Sequence, residues 1–510
     1  MKRYSLIFSL MFWTFCSNAQ GFVSRYSLPG YSNHLSKAMF ETGSNSYMTL
    51  GLASDSSGIT YLEAMSLNAQ GQLLWTKNYG NNKFSYGENY YSIRSCYQHQ
   101  GFIYYTGVGV DSTGSICGVL LKFNYNGDTL WQKVFRDTVD EIVPQMLTKS
   151  IDGGFLITGI FENLSVIGRK VMLIKTDANG NELWRKKISK AVPNVNDGKA
   201  IIQDSASKRI AIIGYQYIGN SSNWDTYENL LILDSVGTVK YQINYEPSSS
   251  GQFLDLIQTK DGKFVASGVL EYTNANNETI MVPTIVKFDI NNPLSYIWKT
   301  NGLDSLTAAN AFACVTEFPN GDLLVSGEYD KVTNYLSANI KIRYVRFSAT
   351  GSVIWKKYYD YNTSPSNPSD MAVRDLHVTN DDGWIAAIEV GNNGINPFLF
   401  VKYDSTGCDS STAYCQMIAA GIAKNYLAQS NIDLYPNPNN GLLNISISNE
   451  ALNDELSLSI LDITGREIKT ATLNSQSQQT VDLKDLSRGV YIVQIQKSHQ
   501  VIYTSKLVRE

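Results

Sequence analysis

The stretch Leu173 to Ile188, LIKTDANGNELWRKKI, decides the fold. Leu173 to Thr176 and Glu182 to Ile188 read as two strands, and Asp177 to Gly180 as the tight turn between them. The Asp side chain caps its own turn, and the Gly supplies the positive φ that the turn needs. Upstream, Met146 to Ser150 and Phe155 to Gly159 form a second strand pair around the hairpin turn Asp152-Gly153-Gly154. The apolar run Val171 to Thr176 completes a unit of four short antiparallel strands with no helical period.

Versions of this unit recur at a spacing of about 55 residues. The turn glycine and an aromatic four residues later stay in register at Gly71 and Trp75, Gly127 and Trp131, Gly180 and Trp184, Gly237 and Tyr241, and Gly351 and Trp355. A longer Asn-Asn-Pro turn precedes Trp298, and Gly407 is followed by Ser411 where the aromatic is lost. A second ladder, the glycine of the second strand, gives Gly51, Gly107, Gly159, Gly214, Gly268 and Gly327, with Ile388 in the seventh place. These counts predict an all-β chain whose residues 20–415 form a seven-bladed β-propeller. The last unit lacks a fourth strand of its own, and the orphan strand Phe22 to Leu28 is expected to supply it and so remove an open edge. The aromatics Trp75, Trp131, Trp184, Tyr241, Trp298 and Trp355 are read as packing between blades.

Working outward to the ends, the chain has 510 residues, 43% hydrophobic and 12% aromatic, with 38 Gly and only 12 Pro, a composition suited to strands and turns. Its net charge of -4 carries no concentrated basic stretch, which excludes a nucleic-acid footprint. Lys2 and Arg3, the apolar run Ser5 to Phe15, and Ser17-Asn18-Ala19 read as a signal peptide over residues 1–19, cleaved near Ala19. The run is about half the roughly 20 residues that span a bilayer, and no later segment is long and apolar enough to do so. Export permits disulfides, and Cys408 and Cys415 stand close enough in sequence to staple a loop. Cys96 and Cys117 fall on strands two apart, roughly 9 to 10 Å from each other and beyond disulfide reach, so with Cys314 they read as buried thiols.

After a linker at residues 416–430, a separate module runs over 431–510. Leu442 to Ser448, Leu456 to Asp462, Glu467 to Leu473, Gln479 to Leu483, Val490 to Gln496 and Val501 to Val508 alternate as a small immunoglobulin-like β-sandwich requires. The module contains Tyr435-Pro436-Asn437-Pro438, then Leu461 to Arg466 with Asp462, Gly465 and Arg466, then Leu486 to Val493 with Gly489 and Tyr491, then Lys506-Leu507-Val508. In this order at the C-terminal end they resemble the type A sorting domain of the Bacteroidota type IX (Por) secretion system. The resemblance implies passage across the outer membrane by that machinery and removal of the domain by a surface sortase. The protein would then be secreted or held at the outer-membrane cell surface.

The repeat itself is similar to two known types. Sialidase-type Asp boxes place Gly two residues after Asp and Trp three after Gly, whereas Asp177, Gly180 and Trp184 give three and four, so that match fails. The spacing does resemble the repeats of pyrroloquinoline-quinone-type propellers, a group that includes quinoprotein dehydrogenases and non-catalytic scaffolds. No vicinal cysteine pair or calcium-carboxylate cluster carries over, and no cofactor is expected. His34, His99, His377 and His499 show no metal-ligand spacing, and no nucleophile motif stands at a strand-to-helix junction. His99 and His377 fall on innermost strands and read as hydrogen-bonded polar groups. The carboxylates Glu88, Asp140, Asp197 and Asp370, with Asn310, precede innermost strands and read as caps of backbone turns rather than a calcium ring. Aromatics in Tyr79 to Tyr91 and in Tyr215 to Glu228, which carries Trp224, are candidates for a glycan or protein ligand on one face. The expectation is a binding or scaffold protein, more a binder than an enzyme. The alternative is a carbohydrate-active hydrolase or lyase, or a quinoprotein-like enzyme, on the same propeller.

Overall fold

A computed structural model describes residues 21–43, 46–87, 92–163, 169–189, 194–220, 223–244, 250–273, 279–301, 309–330, 340–361, 370–391, 396–409, 432–447, 456–462, 467–473, 478–497 and 500–510. Every regular element among them is a strand. The chain divides into two compact units, Met1–Asp409 and Ser410–Glu510. The signal segment and the linker at 416–430 lie outside the described residues.

The third repeat shows how the sequence builds a sheet. Glu141–Lys149, Phe155–Glu162, Arg169–Thr176 and Glu182–Ile188 pair in that order, all antiparallel. At the outer turn Gly180 has φ +77°, and Asp177 Oδ1 accepts from the amides of Asn179 and Asn181 at 2.9 and 2.8 Å. The pairing shifts register between Lys175 and Thr176, so a glycine bulge ends the turn. Phe155–Glu162 is buried along nearly its whole length, whereas Glu182–Ile188 is partly exposed throughout. The second strand is therefore dry and the outermost strand meets water.

The second-strand glycines answer a different demand. Opposite Gly159 the innermost strand shifts register between Pro144 and Met146. The same shift occurs opposite Gly51, Gly214 and Gly268. A Cβ at Gly159, Gly214 or Gly268 would stand 2.2, 1.8 or 2.1 Å from a carbonyl oxygen of the bulged strand, so only hydrogen fits. In the seventh sheet the shift lies opposite Ile388 instead.

The first unit holds seven such sheets among the described residues. The innermost strand is broken in two of them, into Phe84–Gly87 and Cys96–His99 in the second and into Ala309–Asn310 and Cys314–Glu317 in the sixth. Consecutive sheets bond to each other along the chain. Lys77 pairs with Asp128, Lys133 with Asn181, Ser150 with Gln203, Gln258 with Asp204, the Val315 amide with Asp255, and Cys314 Sγ with the Val373 carbonyl. The seventh sheet meets the first in the same way, through Met39 N on Asp375 Oδ2 at 3.3 Å and Leu399 N on Ser36 Oγ at 3.0 Å. Its own strands are Asp370–Val378, Trp384–Gly391 and Phe398–Tyr403, and Phe22–Tyr26 pairs antiparallel with the last of these, Phe22 opposite Lys402 and Tyr26 opposite Phe398.

The outer turns clasp the neighbouring sheet. A Cβ at Gly127 would stand 2.8 Å from the Trp75 ring, one at Gly180 2.7 Å from Trp131, one at Gly237 3.1 Å from Trp184, and one at Gly351 2.7 Å from Trp298. Each of these four tryptophans thus packs against the turn glycine of the next sheet. Phe22 occupies the same place over Gly71, and the Tyr26 and Tyr79 hydroxyls donate to the carbonyls of Gly71 and Gly127 respectively. The outer turn of the fifth sheet, between Asp289 and Asn292, carries no glycine, and Tyr241 of the fourth sheet is 39% exposed.

The second unit, taken alone, is a sandwich of Ile432–Tyr435, Leu442–Ile447 and Gln478–Asp482 against a sheet ordered Glu467–Leu473, Leu456–Leu461, Gly489–Lys497, Gln500–Arg509. Leu443, Ile445, Leu458, Ile460, Val493, Ile495 and Leu507 fill its core.

Candidate functional site

The innermost strands of the first unit converge on a cavity of about 300 Å³, walled by Phe40, Tyr97, Gln98, Thr148, Gln258 and His377 and closed at one side by Arg94. Arg94 adopts φ +54°, which a non-glycine residue takes only when its surroundings hold it there. Its side chain leaves the second sheet and reaches three others. Nε donates to Asp255 at 2.8 Å, Nη2 to the carbonyl of Leu376 at 3.1 Å and also to that of Val315, and its own amide donates to the Arg374 carbonyl at 3.0 Å. Burial works against its charge, but Asp255 and Asp375 raise its pKa above the ordinary arginine value.

Asp255 and Asp375 each stitch two sheets. Asp255 accepts from the amides of Leu256 and Val315 at 2.9 and 2.8 Å, and Asp375 from those of Leu376 and Met39 at 3.1 and 3.3 Å. Asp375 also holds His377 Nε2, 2.9 Å from Oδ1, which fixes the imidazole against the Phe40 ring at 5.0 Å between centroids. Gln98 is fixed by donating to the Glu41 carbonyl at 2.6 Å and Tyr125 Oη at 2.8 Å. Both carboxylates are thus hydrogen-bonded before any ligand arrives, and the cavity offers a shaped aromatic and amide wall. Among the described residues no three His, Cys, Asp or Glu side chains gather as metal ligands would.

The charged residues at the bulges are a feature that the sequence reading missed. Lys37 and Lys199 are 2% and 4% exposed, and Arg374 Nε donates to Glu389 at 2.8 Å. Burial, opposed by Asp197 and reinforced by Arg169 and Arg374, pushes the Lys199 ammonium pKa down. The signal was present in the triplets Ser36-Lys37-Ala38, Gly198-Lys199-Ala200 and Val373-Arg374-Asp375, each placing a cation at the bulge.

The sequence-selected residues fall in several places. His377 lines the cavity; His99 instead contacts Lys149 Nζ, and burial together with that ammonium pushes its pKa down. His34 is fully buried at the junction of the first and seventh sheets. Asp140 and Asp197 require a correction, because their carboxylates meet cations rather than only capping turns. Asp140 lies 2.9 Å from Lys187 and 3.3 Å from Lys170, and Asp197 3.7 Å from Lys199. Tyr86, expected on an aromatic face, is 3% exposed and packs on Tyr105; the Trp224 side chain lies outside the described residues, as do Glu88, Tyr90, Tyr91 and His499. Cys96, Cys117 and Cys314 are buried free thiols, and burial pushes the Cys96 thiol pKa well up. Cys408 is disulfide-bonded, and Cys415 lies outside the described residues.

In the second unit, both Tyr435-Pro436 and Asn437-Pro438 are cis. Asn437 mimics a strand residue, its Nδ2 donating to the Lys506 carbonyl at 2.6 Å and its Oδ1 accepting from Val508 N at 2.9 Å. Asn439 is fully buried, its amide donating to the Val508 carbonyl at 2.7 Å and its Oδ1 accepting from Gly441 N at 2.7 Å. Tyr491 Oη donates to the Ser487 carbonyl at 2.8 Å beside Gly489. The YPNP segment therefore docks on the final strand. Asp462 precedes Gly465 and Arg466, which lie outside the described residues.

Fold and sites together define an all-β protein of repeated four-stranded sheets with a separate C-terminal sandwich. Residues 433–510 match the secretion system C-terminal sorting domain. No curated protein matches the chain. Among solved structures, the extracellular domain of a hybrid two-component system of B. thetaiotaomicron is similar at 11% identity, over 93% of this chain and 68% of that one, with a TM-score of 0.35. The WD40 domain of SCAP from fission yeast is similar at 8% identity, over 75% and 98%, with a TM-score of 0.30. These likenesses are weak. The C-terminal match marks a secreted or cell-surface protein that engages type IX secretion machinery. No helix among the described residues is long and apolar enough to cross a membrane.

Proposed function

We propose that the first unit is a closed seven-bladed β-propeller that binds a ligand or partner outside the cell, and that the second unit is its type IX export label. The observation that carries the closed ring is the pairing of Phe22–Tyr26 with Phe398–Tyr403, with Phe22 seated on Gly71 as Trp75 is seated on Gly127. The binding role is supported by the 300 Å³ axial cavity, whose flanking acids already accept from Arg94, His377 and backbone amides. The Tyr435 to Pro438, Asp462, Gly465, Arg466, Gly489, Tyr491 and Lys506 motifs are the features that the secretion machinery and a surface sortase read.

Cell fractionation tests the export half of this reading. A chain lacking 431–510 should accumulate in the periplasm, while the full chain reaches the surface or medium. Equal surface display of the truncated chain would refute it.

A further inference from the structure

Three polar side chains on the wall of the axial cavity are each tied down at one end and open at the other. Gln98, from the second sheet, donates through Nε2 to the Glu41 carbonyl at 2.6 Å. Gln258, from the fifth, donates through Nε2 to Asp204 Oδ1 at 2.8 Å, and His377, from the seventh, through Nε2 to Asp375 Oδ1 at 2.9 Å. A carbonyl and two ionised carboxylates can only accept, so the anchored end is in every case the N–H end. That requirement fixes both amide orientations and the imidazole tautomer. The free ends, Gln98 Oε1, Gln258 Oε1 and His377 Nδ1, are therefore three acceptors. None has a partner among the described residues, and none is one of the unpaired polar atoms sealed from solvent. The His377 side chain is 29% exposed. On the same wall the Thr148 hydroxyl has no partner among the described residues, and Arg94 bonds through Nε and Nη2 while Nη1 has none.

Resting on the reading of this cavity as a binding site, we propose that it takes one neutral sugar ring. Ligand hydroxyls donate to Gln98 Oε1, Gln258 Oε1 and His377 Nδ1, accept from Arg94 Nη1, and meet the Thr148 hydroxyl in either sense. Three fixed acceptors demand a ligand rich in donors. Hydroxyl groups supply donors and, being acceptors too, also use the guanidinium. An ammonium ion would satisfy the acceptors but meet the positive charge of Arg94, and a carboxylate would satisfy Arg94 but leave the acceptors unmet. Phe40 and Tyr97 add aromatic faces on which the C–H face of a pyranose can pack. At about 300 Å³ the cavity is at the small end for ligand sites, which suits a single ring.

Saturation-transfer NMR titration of the full chain tests the proposal, with glucose, galactose, mannose and N-acetylglucosamine as probes and benzylammonium and benzoate as the competing chemistries. At least one sugar should show transfer, with its Kd raised about fivefold in Gln258→Met, the loss expected for one neutral hydrogen bond. Thr148→Val removes a hydroxyl that bonds nothing in the protein, so it should fold as the parent does and still weaken the same sugar. Lys77→Ala, on the outer strand of the first sheet, should leave that Kd unchanged. Transfer from none of the four sugars, or sugar binding indifferent to the folded cavity variants, would overturn the proposal. If benzylammonium or benzoate then binds with a Kd that those variants alter, the ligand class is wrong and the cavity remains a binding site. If no probe responds to them, the reading of the axial cavity as a binding site falls as well.

Discussion

Arg94 ties four sheets of the first unit together, because its side chain, from the second sheet, bonds groups in the fifth, sixth and seventh. Its partner Asp255 is fully buried, so removing the guanidinium strands a carboxylate without its counter-charge. Arg94→Met is expected to cost about 3–5 kcal/mol in urea unfolding, and Asp255→Asn added to it should recover part of the loss. A cost under about 1 kcal/mol would mean that the axial ion pair is dispensable. Nothing in the sequence marked Arg94 as a bridge. It lies with Ile93 and Ser95 in the break between Phe84–Gly87 and Cys96–His99, and the three sheets that it reaches are some 160 to 280 residues away in sequence.

At the scale of elements, the junction between the N-terminal segment, the first sheet and the seventh is held by His34. Nδ1 faces the Asn396 carbonyl at 2.7 Å and therefore carries the proton, while Nε2 accepts from the Leu28 amide at 3.0 Å. Burial pushes the pKa of this imidazole below 6.5, in opposition to the hydrogen bond to the Asn396 carbonyl. A base with a depressed native pKa gives full stability above its unfolded value and loses it as pH falls. The melting temperature should therefore decline below about pH 6.5, and His34→Gln should decline less over the same range. Parallel pH profiles for the two proteins would contradict this role. The strands themselves were legible, since turn glycines, alternating runs and the Gly-Trp offset of four repeat throughout. Glu182 to Ile188 was placed to the residue, whereas the innermost strand read as Met146 to Ser150 spans Glu141–Lys149. The register shift at Pro144 and Met146 breaks the period-2 pattern that a strand is recognised by, which hid its first half. The same bulges conceal why Gly159 and Gly214 are glycine and why Lys37 and Lys199 sit where they do.

For the whole molecule, the sequence identifies the C-terminal unit by its motifs, but the cavities depend on what the sheets bring together. The axial cavity draws Phe40, Tyr97, Gln258 and His377 from four sheets, and no local pattern announces such a meeting. The pairing of Phe22–Tyr26 with the seventh sheet was legible because Phe22 to Leu28 is a strand without a repeat and the seventh repeat is one strand short. The central claim is that this segment completes the seventh sheet. Hydrogen exchange on the full chain measures it without altering a residue. The backbone amides of Phe22–Tyr26 that bond across to Phe398–Tyr403 should exchange as slowly as those of the latter strand; exchange of the former within seconds, beside slow exchange in the latter, would contradict closure.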